Sequence, residues 1–194
     1  MQVMSRLRFL GLKWRAIALL VAGRREAALA VFGTMRTEFP GDAYALASQA
    51  HLQAQLGNRP AARQALRQLV EMDPGNGAHW FNYGFLLEEM DQHEQAEAAF
   101  RRATELSPEL DRAWYGLGLV LIRLQRFDEA VAALKRNTQL QPMSPYGWYQ
   151  LARVHVDRHQ PDEARKIIRH LRKFEPKVAA QLERETGIFV PPAS

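Results

Sequence analysis

His155 and His159 stand four residues apart, the spacing that puts two imidazoles on one face of a helix and within reach of one metal ion, with Asp157 between them as the nearest further donor. His159, however, falls where a turn is expected, and two rings without a third convergent ligand make an incomplete site. The paired carboxylates Glu88 and Glu89 are adjacent in sequence, so on a helix they diverge and cannot share an acid/base task. Cysteine is absent, which removes disulfides, thiolate zinc sites, cysteine nucleophiles and lipid attachment through cysteine. There is no Gly-x-Ser-x-Gly elbow, no phosphate-cradling glycine loop and no dinucleotide fingerprint. The residues therefore predict binding rather than catalysis: not an enzyme, with no metal and no cofactor.

Arginine is the other chemistry on offer. Arg59, Arg63 and Arg67 are spaced as a stripe on one helix, and Arg165, Lys166, Arg169, Arg172 and Lys173 crowd the last fifth of the chain. Residues 1–25 carry six basic groups and no acid, residues 26–152 carry 11 basic against 15 acidic, and residues 153–177 carry eight against four. A nucleic-acid platform wants one continuous basic stripe, and the acidic middle interrupts it, so nucleic acid is not the expected partner. Near the N-terminus Val3, Leu7, Leu10, Trp14, Ile17 and Val21 step by four and three along one helix beside Arg6, Arg8, Lys13 and Arg15. That pattern suits a membrane surface, but the preferred reading makes much of the seam the core and groove wall of the first helical unit. Charges interrupt this segment too closely for a signal core or a span, and with the missing cysteines this places the expected compartment in the reducing cytoplasm.

The elements that hold these residues are set by an internal repeat. Prolines 40, 74, 108, 142 and 176 are spaced 34 apart, and so are Trp80, Trp114 and Trp148, and Ala28, Ala62, Ala96, Ala130 and Ala164. Five units follow in one register, 9–42, 43–76, 77–110, 111–144 and 145–178. Each contains two stretches with helical apolar spacing, such as Trp80, Tyr83, Gly84 and Leu87 followed by Ala96, Phe100 and Ala103. The proline then ends the second stretch, because it lacks a donor and restrains the residue before it. Gly84 and Gly118, in one column with Ala16, Ala50 and Ala152, let backbones approach. Residues 179–194 are expected to form a short capping helix, through Val178, Leu182, Ile188 and Phe189, and then a disordered tail after Pro191 and Pro192.

The 34-residue period, Trp114 with Leu117 and Gly118, and the Ala, Phe, Ala and Pro of the third unit resemble the tetratricopeptide repeat family over residues 9–178. The chain departs at Leu12 and Leu46, where tryptophan would stand, and at His155. The resemblance implies an all-α solenoid of five helical hairpins in a right-handed superhelix, whose first helices line a concave groove that grips a peptide or helix of another protein. On those columns lie Tyr44 and His51; Phe81, Asn82, Phe85 and Glu88; Arg112, Tyr115, Leu119 and Ile122; and Tyr146, Tyr149 and Arg153. Asn82 and Arg112 match two positions of the carboxylate clamp found in some members, but Ala47, His51 and Gly116 occupy the others. Apolar and aromatic contact in units three to five is expected instead. Glu89, Arg123 and Asp157, in one column, read as an inter-unit salt ladder. The expected role is a scaffold or adaptor with a protein or peptide partner. The alternative is a peripheral organiser of a membrane or organelle surface that docks through the basic apolar N-terminal helix and self-assembles; a short cap would favour self-association.

Overall fold

Each inter-unit proline stands directly after a residue with nearly the same backbone. Phe39, Asp73, Ser107, Gln141 and Glu175 all have φ between −129° and −137°. A following proline ring disfavours the helical region for these residues, so the helix before each of them cannot run on. The structure, a computed structural model, describes the backbone of residues 2–191 and the side chains of residues 4–191. The helices are α1 Gln2–Val21, α2 Arg25–Glu38, α3 Ala43–Gln55, α4 Arg59–Met72, α5 Gly77–Glu89, α6 His93–Leu106, α7 Asp111–Arg123, α8 Phe127–Leu140, α9 Pro145–Asp157, α10 Pro161–Leu171 and α11 Pro176–Thr186. Among the described residues there is no strand. Consecutive helices pack in pairs, and α5, α7 and α9 also touch across units, giving an all-α solenoid of five hairpins closed by α11.

A column unremarked in the sequence marks the turn inside each hairpin. Gly23, Gly57, Asp91, Gln125 and His159, again 34 apart, all have φ between 55° and 78°. In each case the next amide reaches back to a carbonyl five residues earlier, as Arg24 N to Leu19 O (2.8 Å) and Gln160 N to His155 O (2.8 Å). This is the left-handed closure of a helix C-terminus, and a residue with a Cβ there accepts a strain of about 1–2 kcal/mol. After one of these turns Asn58 caps α4 by accepting from the Ala61 amide, and after the proline turns between units Asp42 accepts from the Tyr44 and Ala45 amides and Asn76 from the Ala78 amide.

The tryptophan and proline columns belong to one device. The indole Nε1–H of Trp80, Trp114 and Trp148 donates to the carbonyl of Pro74, Pro108 and Pro142 at 3.0, 2.9 and 2.9 Å, tying each first helix to the turn that enters it. Leu12 and Leu46 lack the donor, so the first two units are without this tie, and Arg8 of α1 instead pairs with Glu38 at the end of α2. Gly118 shows why its column is small: a Cβ there would lie 2.7 Å from the Leu134 side chain.

Helix α1 carries two apolar stripes. Phe9, Leu12, Ala16 and Leu19 pack into the first hairpin with Phe32 and Met35. Leu7, Leu10, Trp14 and Val21 of the other stripe are exposed, Trp14 by 66% and Val21 by 85%. The core half of the preferred reading of that seam is thus corrected: the seam faces outward, and the intervening stripe fills the core. Val3 and Pro192 lie outside the residues described with side chains. At the other end α11 starts at Pro176, before the expected boundary, and the covering side chain beyond Gly187 is the buried Val190, whereas Phe189, expected to cover the last hairpin, is exposed. No helix among the described residues is long and apolar enough to cross a membrane.

Candidate functional site

The first helices α1, α3, α5, α7 and α9 bring one set of columns onto a common surface. Phe81 and Phe85, one turn apart on α5, face each other with centroids 6.4 Å apart; Phe81 also leans on the buried Phe100 at 6.0 Å. Phe85 is 51% exposed. The Arg112 guanidinium of α7 lies 5.0 Å over the Phe81 ring, so this cation bridges units three and four through a π face. Tyr115, Leu119 and Ile122 continue the surface half-buried, and burial pushes the Tyr115 phenol above its ordinary range while Gln150 opposes that shift by a hydrogen bond.

On α9 Tyr146 is 70% exposed, whereas Tyr149 is tied down. Its hydroxyl donates to Glu185 of α11 at 2.5 Å, and Arg153 lies beside it with Nη1 at 3.4 Å from the same oxygen. The Tyr149 hydrogen bond, helped by Gln181, holds the Glu185 carboxyl below its usual range. Tyr44 also has its ring engaged. It packs edge-on against Phe32 (6.2 Å) and Phe9 (6.4 Å), with the Lys13 ammonium 4.4 Å above it. His51 is exposed, 2.9 Å from the Gln55 amide nitrogen.

Among the hollows that the described residues leave along this face, two have mainly apolar walls. Between α3 and α5 lies one of about 330 Å³, floored by Ala47, Ala50 and Ala54 and walled by Phe85 and Leu86, with Asn82 and Glu89 at its rim. Between α7, α9 and α11 lies another of about 300 Å³, lined by Tyr115, Tyr146 and Tyr149 together with Val178 and Gln181 of the cap. Apolar walls with a few polar groups at the rim are what a side-chain-binding surface requires.

Four findings change the sequence reading. Glu89, Arg123 and Asp157 do not form a ladder: no ion pair among the described residues joins them. Long acids and bases one unit apart at an exposed surface have little to hold them together. The inter-unit network instead joins α6 to the start of α8. There Arg101 pairs with Glu97 (2.7 Å) and Glu129 (2.5 Å), and Arg126 with the same two acids (2.6 and 2.7 Å). His155 is buried with Nδ1 2.8 Å from Gln160 Oε1, while His159 sits in the left-handed turn, so the two rings have separate surroundings. Missed in sequence were Leu10, Trp14 and Val21 as exposed groove-column residues of unit one, and the cap side chains that wall the far end. Counting back 68 residues, two periods, from Asn82 and from Glu89 would have found Trp14 and Val21.

Models of the tetratricopeptide repeat match residues 19–82 and 86–145. No curated protein matches the sequence. Among solved structures, MamA from Desulfovibrio magneticus RS-1 is 19% identical, with 93% of this chain and 96% of that one covered at a TM-score of 0.76. YrrB, described as a TPR protein with an unusual peptide-binding site, is 18% identical with 87% and 88% covered at 0.76. Pseudomonas aeruginosa PilF is 20% identical with 93% and 91% covered at 0.72. At such identities the likeness speaks for the fold.

Proposed function

The chain belongs to the tetratricopeptide repeat family, whose arrays are protein-interaction scaffolds, and on that premise we propose that it is an adaptor that holds a peptide segment of another protein along its first-helix face. The observation that carries this reading is the run of Phe85, Tyr115 and Tyr146 left wholly or half in solvent beside two apolar hollows. Exposed aromatics of this kind are the usual anchors of protein recognition, because they bury large area while freezing few torsions. Phe85 and Tyr146 can be shortened without opening a cavity, whereas Tyr115 rests one side on the core and offers the other to the groove.

The test uses peptides selected on the wild-type chain from a displayed random library. The double substitution Phe85→Ala and Tyr115→Ala should weaken their binding by at least about tenfold, measured by fluorescence anisotropy, while the helical circular dichroism is unchanged. Equal affinity in a folded variant would remove the groove from consideration.

A second reading, docking on an anionic membrane surface, draws support from α1. Its outward stripe of Leu7, Leu10, Trp14 and Val21 is flanked by Arg6 and Arg15, in a segment with no acid. On this reading the wild type floats with vesicles of anionic phospholipid at low salt, and a chain with Trp14→Glu does not; an adaptor without lipid affinity stays at the bottom in both forms.

A further inference from the structure

Two groove columns carry a side chain larger than alanine in every unit but the second. The position of Ala47 is held by Lys13, Phe81, Tyr115 and Tyr149 in the other units, and that of Ala54 by Leu20, Glu88, Ile122 and Val156. Shortening both to methyl groups leaves the hollow of about 330 Å³ between α3 and α5, with an alanine floor and the exposed face of Phe85 as its wall. Its volume admits the largest apolar side chain whole, and its floor offers such a side chain apolar surface only.

The charge at the rim is one-sided. Glu89 borders the hollow and Glu88 lies beside it on α5, and neither makes an ion pair among the described residues. The remaining rim groups, His51, Gln55 and Asn82, bring no fixed charge. Of the groove cations, Lys13 lies over Tyr44 and Arg112 over Phe81, and Arg123, one unit on from Glu89, is not among the residues that line the hollow. A ligand side chain that enters here is therefore met by carboxylates.

Resting on the groove reading above, we infer that the partner segment inserts one bulky apolar side chain, leucine, methionine or aromatic, between α3 and α5 and sets a lysine or arginine within one helical turn of it against Glu89. The hollow selects size and apolarity, and the acids select the sign of the neighbour. Arrangements of this kind give specificity because the wrong partner leaves a cavity or brings like charges together.

The probe is a displayed library of random 12-residue peptides, selected on the wild-type chain and sequenced. The expected consensus is a bulky apolar residue with lysine or arginine up to four positions away. Ala47→Tyr places in unit two the residue type that units four and five already carry, so the array accommodates it, and binding of a consensus peptide should fall at least tenfold. Glu89→Lys should lower affinity for the basic consensus and raise it for the same peptide with glutamate in place of its basic residue. Should Ala47→Tyr lose helical circular dichroism, Ala54→Leu, which copies Leu20 of unit one, replaces it. Peptides that lose affinity for the Phe85→Ala/Tyr115→Ala chain but bind the Ala47→Tyr chain as before, or that carry no apolar–basic pair, overturn this inference and leave the groove reading standing. Peptides that bind all variants equally, or a library that enriches nothing, overturn both. A wild-type dimer in sedimentation that Ala47→Tyr dissolves would make a second copy the occupant and overturn the partner-segment assignment.

Discussion

Phe100→Ala should cost about 3–5 kcal/mol of stability, more than any groove substitution, because a wholly buried phenylalanine leaves a cavity that close-packed helices cannot fully collapse. Phe100 sits on α6 where three first-helix positions converge. A Cβ on Gly84 of α5 would lie 3.0 Å from its ring and one on Gly116 of α7 would lie 2.6 Å away, while Phe81 stacks at 6.0 Å from the groove side. The ring thus fills the space two glycines leave empty, and removing it should lower the urea midpoint with little change in slope. A paired substitution separates this account from a general loss of helix packing. In the wild type Gly116→Ala drives a methyl group into the ring and should cost about 1–2 kcal/mol. In the Phe100→Ala background the same methyl enters vacated space, and the better helix propensity of alanine should make it stabilising by up to about 1 kcal/mol. A coupling of about 2 kcal/mol is expected; simple additivity would show that the ring and the glycine do not share the space.

Gly116 also shows what the sequence reveals and what it hides. Gly84 and Gly118 are readable as close approaches because they share a column with alanines in other units. Gly116 stands in the column of Trp14, Ser48, Asn82 and Gln150, which is a surface column elsewhere, and its contact with Phe100 depends on how α6 and α7 meet. The proline comb and the hairpins were legible because each is a periodic property of the chain, and the cap because apolar residues continue beyond the last period. The left-handed turn column was legible only in part: Gly23 and Gly57 announce it, whereas Asp91, Gln125 and His159 tolerate a strain that residue type does not advertise. On α1 the difficulty was different. Two apolar stripes share one helix, and hydrophobic spacing alone does not say which is inside; Ala16, in the small column, marks the inner one. The candidate groove was legible as columns, since column position is periodic. Its hollows were not, because a hollow is made by residues that are small relative to their counterparts in neighbouring units, and the larger of the cap's contributions comes from outside the repeat.

That cap supplies the second large effect, since Arg172→Ala should destabilise the C-terminal end by about 2 kcal/mol. The Arg172 guanidinium at the end of α10 donates to Glu183 of α11 at 2.5 Å, to the Val190 carbonyl at 2.8 Å and to the Pro191 carbonyl at 3.1 Å, while the Val190 amide donates to the same Glu183 oxygen at 2.8 Å. One side chain therefore fastens both α11 and the non-helical segment 187–191 that follows it. The Glu183 side chain is only 15% exposed and the Arg172 side chain 34%, so the pair lies between an exposed bridge of small value and a buried one whose breakage is costly. Without the arginine, Glu183 keeps one amide partner and little water, and much of the loss comes from that stranded carboxylate. Arg172→Ala combined with Glu183→Ala should accordingly cost less than Arg172→Ala alone, an inversion that lost packing by itself would not produce. Amide exchange should rise in residues 176–191 while α5 to α8 keep their protection. Because Tyr149 is held by Glu185 and the second hollow is walled by Val178 and Gln181, loosening α11 also frees that tyrosine and opens the far end of the groove. The cap thus closes the solenoid and bounds the binding face with the same contacts, and a peptide seated beside Tyr146 should protect residues 176–186 from exchange when it binds.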